Sequence, residues 1–395
     1  MKELELYIHI PFCVKKCDYC DFLSAPADAE TMEAYVRKLC LEIAAAASYY
    51  KERQVTTIFI GGGTPSVLHP EQIARIMEAV SQNFFIELKK AEITMECNPG
   101  TITKDKLRAL NRMGINRLSI GLQSADDAQL KLLGRIHTYR EFVSNYESAR
   151  EAGFENINID VISGLPGQKL SSYEHTLKEV LERKPEHISA YGLIIEEGTL
   201  FYERYKQAER LRDAGKAQRL LPDEEEERGM YALTKEMLQD KGYERYEISN
   251  YALDGFCCRH NCGYWTRKDY LGLGLGAASL IDNERFCGTS DLKSYLTMQP
   301  AQSWRPGAAD RWHENRQKLS RKDQIEEFMF LGMRMMRGVE AETFRKQFSC
   351  EIEEVYGSVF ERQKKQGLVQ KTRRGYCLTE RGIDVSNYVL AEYLL

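Results

Sequence analysis

The chain has 395 residues, with 55 Lys and Arg against 59 Asp and Glu, for a formal charge of −4 at pH 7. At 43% hydrophobic and 29% charged residues it has the make-up of a soluble globular protein of two or three domains, which excludes disorder, collagen and coiled coil as overall descriptions. The acidic balance speaks against a dedicated nucleic-acid binder. No apolar run reaches the ~18 residues of a membrane span, and the start Met1-Lys2-Glu3-Leu4-Glu5 is unlike a signal peptide, so the expected location is the cytoplasm.

In chain order, strands are expected at Leu4–Ile10, Thr56–Gly61, Glu92–Glu96, Arg117–Gly121, Asn156–Ile162 and His187–Leu193. Helical patterns at Ala29–Tyr50, Pro70–Asn83, Thr103–Met113, Tyr139–Ala152 and Ser171–Glu182 lie between them. That alternation predicts βα units and a parallel sheet, its strands read as apolar runs under helices. A helix over Asp223–Lys241 opens on acidic residues that suit its dipole, and a strand candidate, Glu244–Ile248, follows. The polar, aperiodic stretch Gln299–Ser320, with Pro300 and Pro306, predicts a boundary. The expected division is a core over 1–240, a core extension over 241–300, a linker over 301–320 and a C-terminal helical domain over 321–395. This last part resembles a winged helix, but its 13 Lys and Arg against 12 Asp and Glu favour a structural role over DNA binding.

The strongest chemical signal follows the first strand. Cys13, Cys17 and Cys20 are spaced by four and then three residues, and thiolates in this pattern select soft metals or iron–sulfur clusters. A structural zinc ion wants four ligands, and here the local set stops at three, so His9 or a distant cysteine would have to complete it. Three thiolates on a cubane cluster instead leave one iron open. Gly61-Gly62-Gly63-Thr64-Pro65 follows the second strand and offers backbone groups to a ligand. Glu96, Gln123 and Asp160 sit at the carboxyl ends of successive strands, where ligands of parallel α/β sheets bind, although each alone could be a helix cap. Arg135 could face a carboxylate or form a surface ion pair. Gly272, Gly274 and Gly276 lack the βαβ context of a dinucleotide loop and read as a crowded strand or turn closing the pocket. Cys257, Cys258 and Cys262 read as incidental thiols, and Met329, Met333 and Met336 as a core stripe before a haem surface.

The C-x3-C-x2-C spacing, with Tyr19 before the third cysteine, resembles the cluster motif of the radical S-adenosylmethionine (SAM) superfamily. Tyr7-Ile8-His9-Ile10-Pro11-Phe12-Cys13, the glycine segment, Ile162-Ser163-Gly164-Leu165-Pro166-Gly167-Gln168 and Tyr246-Glu247-Ile248-Ser249-Asn250 narrow the likeness to the oxygen-independent coproporphyrinogen III oxidase group. The resemblance covers roughly 1–285 and the C-terminal domain. It implies an α/β fold, a partial (βα)6 radical-SAM barrel with a C-terminal helical, winged-helix-like domain. It implies a 4Fe–4S cluster on Cys13, Cys17 and Cys20. It also implies SAM held by Tyr7, Tyr19, Gly62, Gly63, Thr64, Glu96, Gln123, Arg135, Asp160, Gly192 and Ala278.

Within that group, the decarboxylase pattern has a fourth cysteine where this chain has Phe22, and a long extension before its cysteines. The haem-chaperone branch lacks both and carries H-N-x-x-Y-W, here His260-Asn261-Cys262-Gly263-Tyr264-Trp265. The expected function is therefore a haem carrier that delivers haem to client proteins, membrane-associated ones included. The alternatives are the radical-SAM decarboxylase itself and a related haem-degrading methyl-transfer enzyme. His260 becomes a candidate haem contact, against a hydrogen-bonded core histidine as the plainer reading. The branch usually has G-A-H-S after its glycine run; Gly276-Ala277-Ala278-Ser279 lacks that histidine.

Overall fold

Alternation with period two governs the strands. The computed structural model describes residues 1–216, 218–299 and 313–395. Six parallel strands follow one another in chain order: β1 (Lys2–Ile10), β2 (Arg53–Gly62), with the short β3 (Phe85–Ile86) beside it, then β4 (Glu92–Cys97), β5 (Arg117–Gln123), β6 (Ile157–Ser163) and β7 (His187–Gly192). Leu6, Ile8, Ile58, Ile93, Leu118 and Ile159 point to the helices and join one apolar core with Leu39, Ile43, Ile73 and Leu177. The intervening residues Tyr7, Phe59, Glu96, Arg117, Ser119, Asn158 and Asp160 line a cavity on the other face. The sheet therefore curls round a polar interior, where the sequence reading placed apolar runs.

Both sides of this half-barrel are extended. Beyond β7 lie β9 (Asn250–Ala252) and β8 (Glu244–Arg245), antiparallel. Beyond β1 lies β10 (Tyr270–Leu273), parallel to it, followed by the antiparallel β11 (Ala278–Ile281), β12 (Glu284–Gly288) and β13 (His313–Lys318). The last strand corrects the linker expected over 301–320. His313–Lys318 pairs with β12, while residues 300–312, with Pro300 and Pro306, lie outside the described residues. The glycine run is crowded as expected: a Cβ on Gly272 would meet the Ala278 carbonyl at 2.2 Å.

The C-terminal part has its own core. Helices Arg321–Gly332, Ala341–Phe348 and Ile352–Lys365 pack on a sheet of β14 (Val339–Glu340), β16 (Gly375–Leu378) and β15 (Val369–Lys371). Met329 and Met333 are fully buried there and Met336 packs against them, which makes this stripe core.

A seven-residue helix, Arg259–Trp265, packs against the amino ends of the barrel strands, opposite the cysteines. Glu92, the first residue of β4, caps it by accepting from the backbone N–H groups of Arg259 (2.9 Å) and His260 (3.0 Å). Gly263 rests on the carboxylate of Glu5, which a Cβ would meet at 2.0 Å, so only glycine lets the helix lie this close. Neither Glu5 oxygen has a hydrogen-bond partner. Burial, opposed by Lys268 and reinforced by Glu92, pushes the Glu5 carboxyl from 4.5 up to about 8.

Glu5 is thus protonated in both folded and unfolded chains below pH 4.5. Between there and about pH 8 only the unfolded chain ionises, so Glu5 withdraws stability as pH rises. In urea titrations of the cluster-free protein, Glu5→Gln should lose less stability than the wild type between about pH 5 and about pH 8.5, by up to a few kcal/mol. Parallel pH profiles for the two proteins would contradict this placement of Glu5.

Candidate functional site

The cysteine loop and the glycine segment are built as one unit. Gly63 N–H donates to the Ile10 carbonyl (2.9 Å) and Thr64 N–H to the Phe12 carbonyl (2.7 Å). A Cβ on Gly63 would come within 2.6 Å of the Phe12 oxygen, and one on Gly62, at φ +115°, within 2.5 Å of the His9 ring. These glycines are therefore demanded by the approach of the two loops. His9 is spent on the same architecture, with Nδ1 at 3.0 Å from the Tyr7 hydroxyl and Nε2 at 2.9 Å from the Leu23 carbonyl. That removes His9 as a zinc ligand. The described residues gather no three His, Cys, Asp or Glu side chains into a site for a single metal ion, and this includes Cys257, Cys258 and Cys262.

Cys13, Cys17 and Cys20 open on a cavity of about 130 Å³ at the carboxyl ends of the strands. Thr64 donates its hydroxyl to Cys13 Sγ (3.5 Å), and Arg135 donates Nη1–H to Cys17 Sγ (3.7 Å). Arg135 also donates to the Gly121 carbonyl and to Asn98 Oδ1 (2.7 Å), and Asn98 Nδ2–H donates to Thr64 (2.7 Å). The segment before Arg135 is stitched to the cysteine loop at Asp18, whose N–H donates to the Leu133 carbonyl at 3.0 Å.

Tyr19, Gly62, Gly63, Thr64, Glu96, Gln123, Arg135 and Asp160 line the same cavity as the three thiols. Glu96 accepts from Gly62 N–H (3.0 Å), and burial followed by the nearby Asp160 pushes its carboxyl up to about 8. Asp160, raised mainly by burial, accepts from Asn158 (2.7 Å) and Ser119 (3.2 Å). Glu96, Gln123 and Asp160 are thus a rim and not helix caps. Gln123 has φ +73° beside a register shift in β5, a sparse conformation of the kind kept at ligand sites. Tyr7 lies deeper, in an adjoining cavity of about 160 Å³. Gly192 ends β7 with nothing within 4 Å of its Cβ position, and Ala278 opens β11 beyond β10; neither lines the cysteine cavity. Gly272, Gly274 and Gly276 do not line it either.

His260 needs a larger correction. It is 1% exposed on the helix at the opposite end of the barrel. Its Nδ1 is 2.7 Å from the Thr57 hydroxyl, its Nε2 is 3.0 Å from the Tyr264 hydroxyl, and its ring stacks on Phe59. Burial pushes it down to about 3, so the imidazole is neutral with both nitrogens engaged. The adjoining cavity, at about 160 Å³, falls below the ~300 Å³ at which pockets for drug-sized ligands begin. In this arrangement His260 is a core histidine and not an open haem ligand.

Sequence reading also missed Asn98 in the cysteine cavity and, in the deeper lining, Arg117, Ser119, Asn158, His187 and Ser189. The signal was present in Arg117-x-Ser119-x-Gly121-x-Gln123, Asn158-x-Asp160 and His187-x-Ser189, where polar residues alternate through buried strands.

Comparison with known proteins fits this geometry. The model of the radical SAM superfamily matches residues 7–180, and that of the HemN C-terminal domain matches residues 319–385. The solved coproporphyrinogen III oxidase (HemN) of Escherichia coli, a radical SAM enzyme, superposes with a TM-score of 0.81 at 25% identity, covering 100% of this chain and 90% of that one. The barrel and its C-terminal domain therefore define a radical SAM protein of the HemN fold. The heme chaperone HemW of Lactococcus lactis is 35% identical over 394 residues, 100% of this chain and 98% of its own. That of Bacillus subtilis is 32% identical over 388 residues, 98% of each chain. The chain belongs to the heme chaperone HemW family.

If His260 is core, His260→Ala should cost roughly 1–3 kcal/mol in urea denaturation, because Thr57 and Tyr264 lose their partner. The iron content of the folded fraction should not change. Unaltered stability together with a shifted haem spectrum would restore His260 as a ligand.

Proposed function

We propose that this protein binds haem, carries a SAM-liganded 4Fe–4S cluster, and hands haem to haem-requiring proteins. The observation that supports this best is end-to-end similarity to heme chaperones, over 394 residues in one relative. Phe22 supports it too: the residue standing where the decarboxylase pattern has a fourth cysteine is 65% exposed and lines the cysteine cavity.

In this reading Cys13, Cys17 and Cys20 hold three irons, and Tyr19, Gly62, Gly63, Thr64, Glu96, Gln123, Arg135 and Asp160 surround SAM, with Tyr7 beneath. The donor set fits, since thiolates suit iron–sulfur clusters; the fourth cysteine lining the cavity, Cys97, is buried with its Sγ turned to the Met95 carbonyl (3.8 Å). When bound, the cluster with SAM supplies one-electron chemistry at the barrel mouth. Arg135 meets a sulfur, a backbone carbonyl and Asn98 at once, so it can hold an anionic group beside Cys17 without moving. Glu96 and Asp160 offer acceptors for amino or hydroxyl groups. Clients would include haem proteins at the membrane; no helix among the described residues is long and apolar enough to cross one.

A second reading, oxidative decarboxylation of coproporphyrinogen III, is favoured by the superposition on HemN. Anaerobic reconstitution separates the two. The wild type should hold about four irons per chain, and the triple Cys13/Cys17/Cys20→Ala variant almost none. Haem should bind with a defined Soret band, while coproporphyrinogen III with SAM and reductant should remain unconverted. Protoporphyrinogen IX at turnover would overturn the carrier reading, and a single zinc per chain would overturn the cluster.

A further inference from the structure

Below the cysteine cavity, the barrel interior holds a cation without an acceptor. Arg117 on β5 is 2% exposed, its Nε has no hydrogen-bond partner, and its side chain lines the inner cavity of about 160 Å³. The paired position on β4 is Thr94, also fully buried, whose hydroxyl has no partner either. Two unsatisfied donors on adjacent strands at one level are costly unless something accepts from them.

The surroundings define what that would be. Arg117 is the one Lys or Arg among the described residues lining this cavity, and the two histidines there, His187 and His260, are held neutral by burial, reinforced by the charge of Arg117. The carboxyl of Glu92 is already taken by the backbone of the floor helix. The other carboxyls nearby, Glu96 and Asp160, are pushed upward, chiefly by burial. A single guanidinium balances a single negative charge, and its planar fork matches a carboxylate. Tyr7, Phe59 and Tyr264 supply aromatic walls for a short carbon chain. The cavity shares Glu96, Ser119 and Asp160 with the cysteine cavity above, so a ligand reaches it from the barrel mouth.

We propose that Arg117 forms a carboxylate-binding subsite inside the barrel, sized for a propionate-like group; Thr94, its paired neighbour on β4, does not itself line the cavity. The group is either a free short monocarboxylate or the propionate arm of a tetrapyrrole standing at the mouth; only the second source rests on the haem reading above.

The test uses cluster-reconstituted protein with SAM, and four probes: sodium propionate, propionamide, haem and haem dimethyl ester. Propionate that raises the melting temperature where propionamide does not identifies a free carboxylate. Haem binding about tenfold tighter than its dimethyl ester identifies the arm. Either discrimination should vanish in Arg117→Gln. Should that variant fold poorly, Thr94→Asp serves instead, because it places an internal carboxylate at the paired position and should abolish the same discrimination. A wild type showing neither discrimination would overturn the subsite, as would a discrimination that survives in Arg117→Gln or, where that variant folds poorly, in Thr94→Asp. Failure of haem to bind at all would count against the haem reading, and the propionate pair would then decide the subsite alone.

Discussion

The backbone contact between the cysteine loop and the glycine segment sets the geometry of everything around it. Where the Phe12 carbonyl accepts from Thr64 N–H at 2.7 Å, the first cysteine is one residue away. The space for that contact exists only because Gly62 and Gly63 have no Cβ. From this seam a chain of hydrogen bonds runs through Thr64 and Asn98 to Arg135 and on to Cys17. Two of the three thiols are therefore positioned by side chains on the segments that directly follow β2 and β4 and on the one after β5. A site built this way is placed by the rigid sheet, although the cysteines themselves sit on a loop.

The same sheet explains why the interior can be polar. Its outward residues bury enough apolar surface against the helices to hold the strands, which frees the inward residues for hydrogen bonding. One connected network results, in which Asp160, Asn158, Ser119 and His187 satisfy one another and His187 passes the chain to Tyr246. The floor helix completes it: His260 satisfies Thr57, and Asn261 donates to the Tyr246 hydroxyl at 3.2 Å. The H-N-x-x-Y-W segment is thus a plug whose polar side faces the lumen and whose Trp265 lies under Arg334 of the C-terminal part. Met336 N–H donating to the Tyr246 carbonyl (3.0 Å) ties that part to the same floor.

Much of this was legible in the sequence, and the reasons for the rest are physical. Six strands with helices between them and the cysteine triplet came from local signals, β-branched runs and three thiols within eight residues, while the (βα)6 barrel and the cluster came from the family resemblance. The carboxyl-end rim of Glu96, Gln123 and Asp160 followed from a rule about parallel sheets and converged as expected. The inner face is hidden in the sequence because Glu92-x-Thr94-x-Glu96 and its neighbours look like apolar runs with polar ends, whereas a curled sheet has an inside that accepts polar residues along its whole length. His260 was read from its aromatic neighbours, but Tyr264, one turn along the helix, is its hydrogen-bond partner, and such pairing shows only once both side chains are placed. β13 escaped because His313–Lys318 is polar throughout, as an edge strand can be.

The seam between the two loops is the part of this structure on which the cofactor site stands or falls. Gly63→Ala adds one methyl group against the Phe12 carbonyl and replaces none of the thiols. Electron paramagnetic resonance of the reduced, reconstituted variant, with and without SAM, reads both cluster and SAM site in one sample. The variant should have lost most of its iron, and whatever cluster signal remains should not respond to SAM. A Gly63→Ala protein with full iron and a SAM-induced spectral change equal to the wild type's would show that the glycine contact does not seat the cluster loop.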